Sequence, residues 1–224
     1  MRVIVLRHHR EDDPGLIGQA LQRRGAMIDI HNVLRDGPIP DVARYDIAVV
    51  LGSKWSVYDR ETIGHWIDAE LDFLHRADER GIPVLGICFG SQALCVAHGG
   101  VVESSGSYEI GWYQIESTSP GIASDKWFQF HGDRCLPSPD MDILASNELC
   151  VQAFSIRRNL GVQFHPEVER GQLERWLPNG GEDEMRNFGL SVDAVLAETS
   201  ERYEQAVVNV ATLVDFFLDD IATR

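Results

Sequence analysis

A chain of 224 residues with 44% hydrophobic content can bury a sizeable core, and its formal net charge of −15 repels phosphate backbones and anionic lipid heads, which excludes nucleic acid and membrane surfaces as expected partners. Cys88, Cys95, Cys135 and Cys150 form no C-x-x-C pair and no disulfide framework, so a reducing cytoplasm is the expected compartment. The apolar run in "MRVIVLRHHRE" is too short for a signal-peptide core or a membrane span, so no export is expected.

In chain order, "RVIVLRH" reads as a buried strand and "PGLIGQALQRRGA" as a helix stopped at Gly25. "MIDIHNV" and "YDIAVVLGS" read as the next two strands. "ETIGHWIDAELDFLHRADERG" places Ile63, Trp66, Ile67, Leu71 and Leu74 on one helical stripe that ends at Gly81. "IPVLGIC" is a further strand and "GSQALCVAHGG" a further helix. Strands apolar throughout, alternating with helices, indicate a doubly wound, mostly parallel α/β sheet covered on both faces, with function at the carboxyl ends of its strands.

From Val101 to Glu167 the pattern changes to short strand-like pieces, "GVVES", "IGWYQIES", "KWFQFHGD", "DILASN", "VQAFSI" and "LGVQFHPE", expected as antiparallel additions set into the sheet. "EVERGQLERWL" and "SVDAVLAETSERYEQAVVNVATLVDFFLDDIA" return to helix, and "PNGGEDEMRNFG" between them reads as a polar surface loop. No repeat or linker divides the chain, so residues 1–224 are expected to form one domain.

At "GICFG", Cys88 stands where a strand meets a helix, with Gly86 and Gly90 two positions to either side. A sharp strand-to-helix turn needs strained backbone angles at its apex and no side chains at those neighbours. It would push the sulfur out beyond the sheet edge, in front of unpaired N–H groups that favour a thiolate and an oxyanion. A packed structural cysteine between two glycines would leave the same string. In "LGVQFHPE", His165 and Glu167 lie two apart, hence on one side of an extended strand, where a carboxylate can orient an imidazole for proton exchange with a thiol.

Together "GICFGSQ" and "FHPE" resemble the G-x-C-x-G-x-Q and F-H-P-E motifs of the class I, or triad, glutamine amidotransferases, and "VVLGSKWSVYD" resembles that family's oxyanion turn. The likeness extends over nearly the whole chain and is nearest to the guanylate-synthetase branch. It implies a flavodoxin-like fold, Cys88 as nucleophile, His165 as acid and base, Glu167 as its orienting carboxylate, and the N–H groups of Gly52 and Phe89 as the oxyanion hole. Gln92, His131, Gly132 and Asp133 are implied as glutamine-binding residues, with no metal and no organic cofactor. The chain departs from the family at Leu51-Gly52-Ser53, where many members carry Gly-Gly-Pro, and at Ser91.

The implied reaction is hydrolysis of the glutamine γ-amide through a thioester, with ammonia supplied to a separate synthetase. A γ-glutamyl peptidase using the same triad, and a non-catalytic or partner-activated scaffold, are the alternatives. "RHHREDD", residues 7–13, is readable as a metal or substrate loop but matches no ligand spacing, and a solvated loop is expected. Cys95 reads as a packed core thiol, and Cys135 and Cys150 have no partner by spacing. Trp55 and Tyr58 follow the oxyanion turn closely enough to shape a pocket or simply to pack, and the acidic helix near 193–204 reads as a solvated face.

Overall fold

The computed structural model describes residues 1–224. The elements that build the sheet's first half are β1 (Arg2–Arg7), α1 (Gly15–Arg23), β2 (Met27–Asn32), β3 (Ile47–Val50), α2 (Arg60–Glu79), β4 (Val84–Ile87) and α3 (Phe89–Ala97). The second half has β5 (Val101–Gln114), β6 (Glu116–Ser117), β7 (Lys126–Leu136), β8 (Asp142–Ser146), β9 (Val151–Ile156) and β10 (Asn159–Val162), followed by α4 (Arg170–Trp176), α5 (Gly181–Asn187), α6 (Val192–Glu201) and α7 (Tyr203–Phe216).

The sheet order is β2-β1-β3-β4-β10-β9-β8-β6. The strands from β2 to β10 run parallel, and β9, β8 and β6 extend one edge antiparallel. Apolar runs such as "VIVL" follow from burial on both faces, because successive side chains alternate across the sheet. Val3 and Val5 pack with Leu16, Ile17 and Leu21 of α1 and Val210, Leu213 and Val214 of α7. Ile4 and Leu6 pack on the other side with Ile63, Ile67 and Leu74 of α2 and Phe89, Ala93 and Leu94 of α3.

Two expectations are corrected here. The pieces read in 101–114 form one long strand, β5, whose register shifts between Ser104 and Glu109, and β5 pairs with β7 as a separate two-stranded ribbon rather than within the sheet, while the end of the second piece, β6, joins the sheet edge beside β8. Residues 178–189 are not a surface loop. They contain α5, anchored by Met185 at 1% exposure in a small cluster with Ile110, Phe128 and Leu173, and carrying acidic residues in its first turn. That charge suits a helix N-terminus. The apolar anchor is one residue among polar ones, so the segment's periodicity is silent about it. The continuous helix expected over the tail divides at Arg202 into α6 and α7.

Candidate active site

The turn between β4 and α3 bends at Cys88, a non-glycine residue with φ of 50° and ψ of −107°. Such a conformation carries about 1–3 kcal/mol of strain and persists only where its surroundings over-determine it. They do so here through backbone. Cys88 N–H donates to Val162 O at 2.8 Å, Gln92 N–H donates to Cys88 O at 3.0 Å, and a Cβ on Gly90 would lie 2.1 Å from Val50 O. A Cβ on Gly86 would meet Gly90 O at 2.6 Å, so both glycines are needed for the helix to sit this close to the strands.

Three residues past β10 comes its partner. His165 N–H donates to Phe128 O of β7 at 2.8 Å, and the ring's Nδ1 donates to Glu167 Oε1 at 2.7 Å. Both side chains are buried, at 5% and 2% exposure. With Nδ1 engaged, Nε2 has no other acceptor or donor in the fold and faces the cleft beside Cys88. Burial alone would lower the pKa of His165, but the Glu167 carboxylate and the Cys88 sulfur outweigh it and hold the imidazole well above its ordinary value. A Cβ on Gly52 would stand 2.8 Å from His165 Cε1 and 3.6 Å from Cys88 Cβ, so the turn after β3, the Cys88 corner and the imidazole meet at one point.

Because His165 has a raised folded-state pKa, its stabilisation is present below about 6.5, the unfolded value, and is lost as pH rises through the folded value. Thermal midpoints taken between about pH 6 and pH 9 should therefore fall more in the wild type than in Glu167→Gln, whose imidazole has less to lose. The comparison between the two proteins removes the background repulsion of an already anionic chain.

Cys88, Gly52, Gln92, His131, Gly132, Asp133 and His165 line one cleft of about 490 Å³. Glu167 lies behind His165, and Phe89 is fully buried behind Cys88 at the start of α3. Gln92 Nε2 donates to Gln163 Oε1 at 3.2 Å. The Asp133 carboxylate accepts from Ser56 Oγ at 2.5 Å and Tyr58 Oη at 2.8 Å, which ties the ribbon to the segment after Gly52. Trp55 lines the cleft and Tyr58 acts through Asp133.

His131 turns its ring inward: Nδ1 donates to Asp133 O at 2.9 Å, and Nε2 lies 3.1 Å from Gln129 Oε1 and 3.2 Å from Glu109 Oε2. Its nitrogens are used to hold the ribbon. Glu109, His131 and Cys150 bring ligand-type atoms within 4.8 Å of one another. They form a closed polar network, since Asn147 Nδ2 and Gln152 Nε2 donate to the two Glu109 oxygens at 2.7 and 3.1 Å. Burial and the Glu109 charge push the Cys150 thiol up to about 12, so it stays protonated.

The solvated loop expected at 7–13 is corrected. His8 is buried against Gly52 O and Glu70, and Asp12, its own carboxyl raised by burial, lines the cleft with His9 and Glu11. The sequence held one unused signal. Glu70 falls on the apolar stripe of α2, three residues past Ile67, and a charged residue there announces a buried partner. Trp176 at the end of α4, Asn179 and Gly180 in the turn after it and Glu184 of α5 also line the cleft; nothing in the helical stretch marks Trp176 as a site residue, and the segment carrying the other three reads as polar. Cys95 is a core thiol as expected, but Cys135, unpaired by spacing, is packed close enough to perturb it.

No helix is long and apolar enough to cross a membrane. Among curated proteins, the GMP synthase (glutamine-hydrolyzing) of Edwardsiella ictaluri is 38% identical over 109 residues, 40% of this chain and 21% of that protein. The corresponding enzyme of Aromatoleum aromaticum is 39% identical over 111 residues, with the same coverage of 40% and 21%. The chain thus spans about a fifth of the length of these relatives. A glutamine amidotransferase structure from Thermotoga maritima superposes with a TM-score of 0.88 at 24% identity, covering 98% of this chain and 99% of that one. One from Methylobacillus flagellatus gives 0.86 at 20% identity, covering 98% and 95%. At those identities the structures speak for the fold. The family model described as glutamine amidotransferase class-I matches residues 16–180, a span that carries the Cys88 corner and the His165–Glu167 pair, and the chain belongs to that family.

Proposed function

We propose that the chain hydrolyses the γ-amide of glutamine, with Cys88 as nucleophile, His165 as acid and base and Glu167 as the carboxylate that orients it. The observation that carries this reading is the meeting of Cys88, His165 and the Gly52 turn at one point of the cleft, with Nδ1 of His165 held by Glu167 at 2.7 Å so that Nε2 is left to exchange protons with the sulfur. The thiolate attacks the γ-carbonyl carbon, and the oxyanion forms against the Phe89 N–H and the turn after β3. On collapse the C–N bond breaks and His165 donates the proton that releases ammonia. Water then adds to the thioester with its proton passing to His165, and the C–S bond breaks to give glutamate. In this reading Asp133 takes the substrate's α-ammonium group, in the cleft that it lines with Gln92 and Gly132.

Glutamine as donor is supported by the likeness to glutamine-hydrolysing GMP synthases. The user of the ammonia is proposed to be a separate synthetase. One observation favours a second reading: a cleft of about 490 Å³ is larger than a glutamine fills, leaving room for the amine of a γ-glutamyl peptide. Ammonia or amine release, measured side by side with glutamine and a γ-glutamyl dipeptide, separates the two. Faster turnover of glutamine supports the amidotransferase, faster turnover of the dipeptide supports the peptidase, and inertness toward both in the presence of candidate synthetases sinks the catalytic reading. Glu167→Gln should lower kcat on the order of 10²–10⁴-fold with a smaller effect on KM, because the imidazole loses the partner that fixes its tautomer.

A further inference from the structure

In the reaction above, His165 hands its proton to the leaving nitrogen from Nε2, so an amine larger than ammonia lies on His165's side of Cys88. That side of the cleft is walled by the segment after β1 and by α4 and α5. The ring of Trp176 meets that of His165 edge to face, with centroids 5.3 Å apart. The segment after β1 is fastened directly behind His165: Leu16 N–H donates to Glu167 O at 3.1 Å, and a Cβ on Gly15 would lie 2.0 Å from the same oxygen. Gln172 of α4, fully buried, donates to Glu11 O at 3.3 Å and joins the two walls.

Three carboxyl groups line the cleft from these walls, Glu11 and Asp12 from the segment after β1 and Glu184 from α5. Asp12 accepts from the His9 N–H at 2.9 Å, and burial raises its carboxyl above the ordinary value. Glu184 is raised by burial alone, so no charge of either sign acts on it. Lys54, the one lysine or arginine of the cleft wall, lies over the Trp55 ring at 5.2 Å and shifts neither Asp12 nor Glu184. His9 stacks on the same indole with centroids 5.3 Å apart, and burial lowers its pKa, so it brings no positive charge. Half-burying carboxylates that nothing in the fold neutralises costs free energy, and a cation that enters the cleft recovers it. His165, 5% exposed, aims its unpartnered Nε2 into the same space, toward a group that the fold itself does not contain.

We propose that this side of the cleft is a leaving-group site for cationic amines, so that the favoured γ-glutamyl substrate is the amide of a diamine or polyamine, with its alkyl stem along Trp176 and its free ammonium group facing Asp12, Glu11 and Glu184. This rests on the triad reading and names the amine carried by the second donor considered above. The bond changes stay the same. The thiolate adds to the γ-carbonyl carbon, the C–N bond breaks, His165 donates its proton to the departing nitrogen, and water then frees glutamate from the thioester. An amine that ends in a carboxylate, as a peptide does, meets the same three acids and is repelled. The formal net charge of −15 acts in the same direction at longer range.

The γ-glutamyl amides of putrescine, pentylamine and γ-aminobutyrate have tails of similar length and positive, neutral and negative charge, which separates charge from size. Glutamate release by the wild-type chain is expected to give a kcat/KM about tenfold or more higher for the putrescine amide than for the pentylamine amide, with the γ-aminobutyrate amide poorer still. Added salt should shrink that preference. Glu184→Gln and Asp12→Asn, the latter keeping an acceptor for the His9 N–H, should each lower the putrescine-to-pentylamine ratio by about 3–10-fold, and Glu184→Lys should bring the γ-aminobutyrate amide above the putrescine amide. The ratio is internal to each variant, so general damage cancels, and urea midpoints establish that each is folded. Equal kcat/KM for the three amides, a wild-type preference for the anionic one, or ratios that the substitutions leave unmoved would overturn the proposal. If the chain hydrolyses glutamine and none of the amides, this inference fails and the triad reading stands. If it cleaves neither glutamine nor any amide, the triad reading itself fails and takes this inference with it.

Discussion

Replacing Cys88 with alanine is expected to lower glutamine hydrolysis by about 10⁴-fold or more while leaving the fold in place. Loss of a nucleophile commonly removes nearly all of the chemical acceleration, and what remains comes from binding and the oxyanion donors. Stability should hardly move, because alanine keeps the Cβ and the backbone at this position is held by Val162 O, Gln92 N–H and the glycines on either side. The strain itself can be read with a second substitution. Glycine tolerates φ of 50° freely, so Cys88→Gly should be more stable than Cys88→Ala by about 1 kcal/mol or more, an inversion of the usual order for these residues. Ammonia release and urea midpoints on the purified variants check both statements. Turnover retained in Cys88→Ala would remove Cys88 from the mechanism.

Gly90→Ala is expected to be among the most damaging single changes to stability. The added methyl would lie 2.1 Å from Val50 O, 2.7 Å from Val50 C and 2.9 Å from Val50 Cβ, and backbone atoms in the middle of a parallel sheet cannot rotate away as a side chain can. Either α3 lifts from β3 and takes the Cys88 corner with it, or the strands part. Overpacking of this kind costs about 3 kcal/mol or more, a large share of the stability of a domain this size. Gly64→Ala in α2 is the matched control. Nothing lies within 4 Å of its Cβ position, so the substitution should stabilise by about 0.5–1 kcal/mol through helix propensity alone. Chemical denaturation of the two variants should move their midpoints in opposite directions.

The sheet, its flanking helices and the Cys88 corner were legible in the sequence because each is set by near neighbours: two-sided burial makes a strand apolar throughout, a stripe on α2 repeats every three or four residues, and a sharp turn places glycines two positions from its apex. His165 and Glu167 were legible for the same reason, at a separation of two on extended chain. What escaped was the set of bonds made across the fold. His8 finds Glu70 62 positions away and Ser56 finds Asp133 77 positions away, and neither pair leaves a local pattern. His131 illustrates the limit from the other side. The resemblance implies it as a substrate residue and it lines the cleft, while its nitrogens also meet Asp133 O, Gln129 and Glu109, bonds that no local pattern shows. The helix over 181–187 escaped because a single buried methionine anchors it.

The β5–β7 ribbon and helices α4 to α6 are held together over the cleft by an apolar cluster of 7 buried residues, whereas the two faces of the sheet are closed by clusters of 26 and 24. Free energies of local opening follow the apolar area that must be exposed, so the molecule contains a lower rung on its ladder of partial unfolding. Cys88 and the turn after β3 belong to the upper rung, while Asp133, Trp176 and Glu184 belong to the lower one or border it. Local openings thus act on the cover of the cleft before they reach the strained corner at Cys88, which keeps its shape.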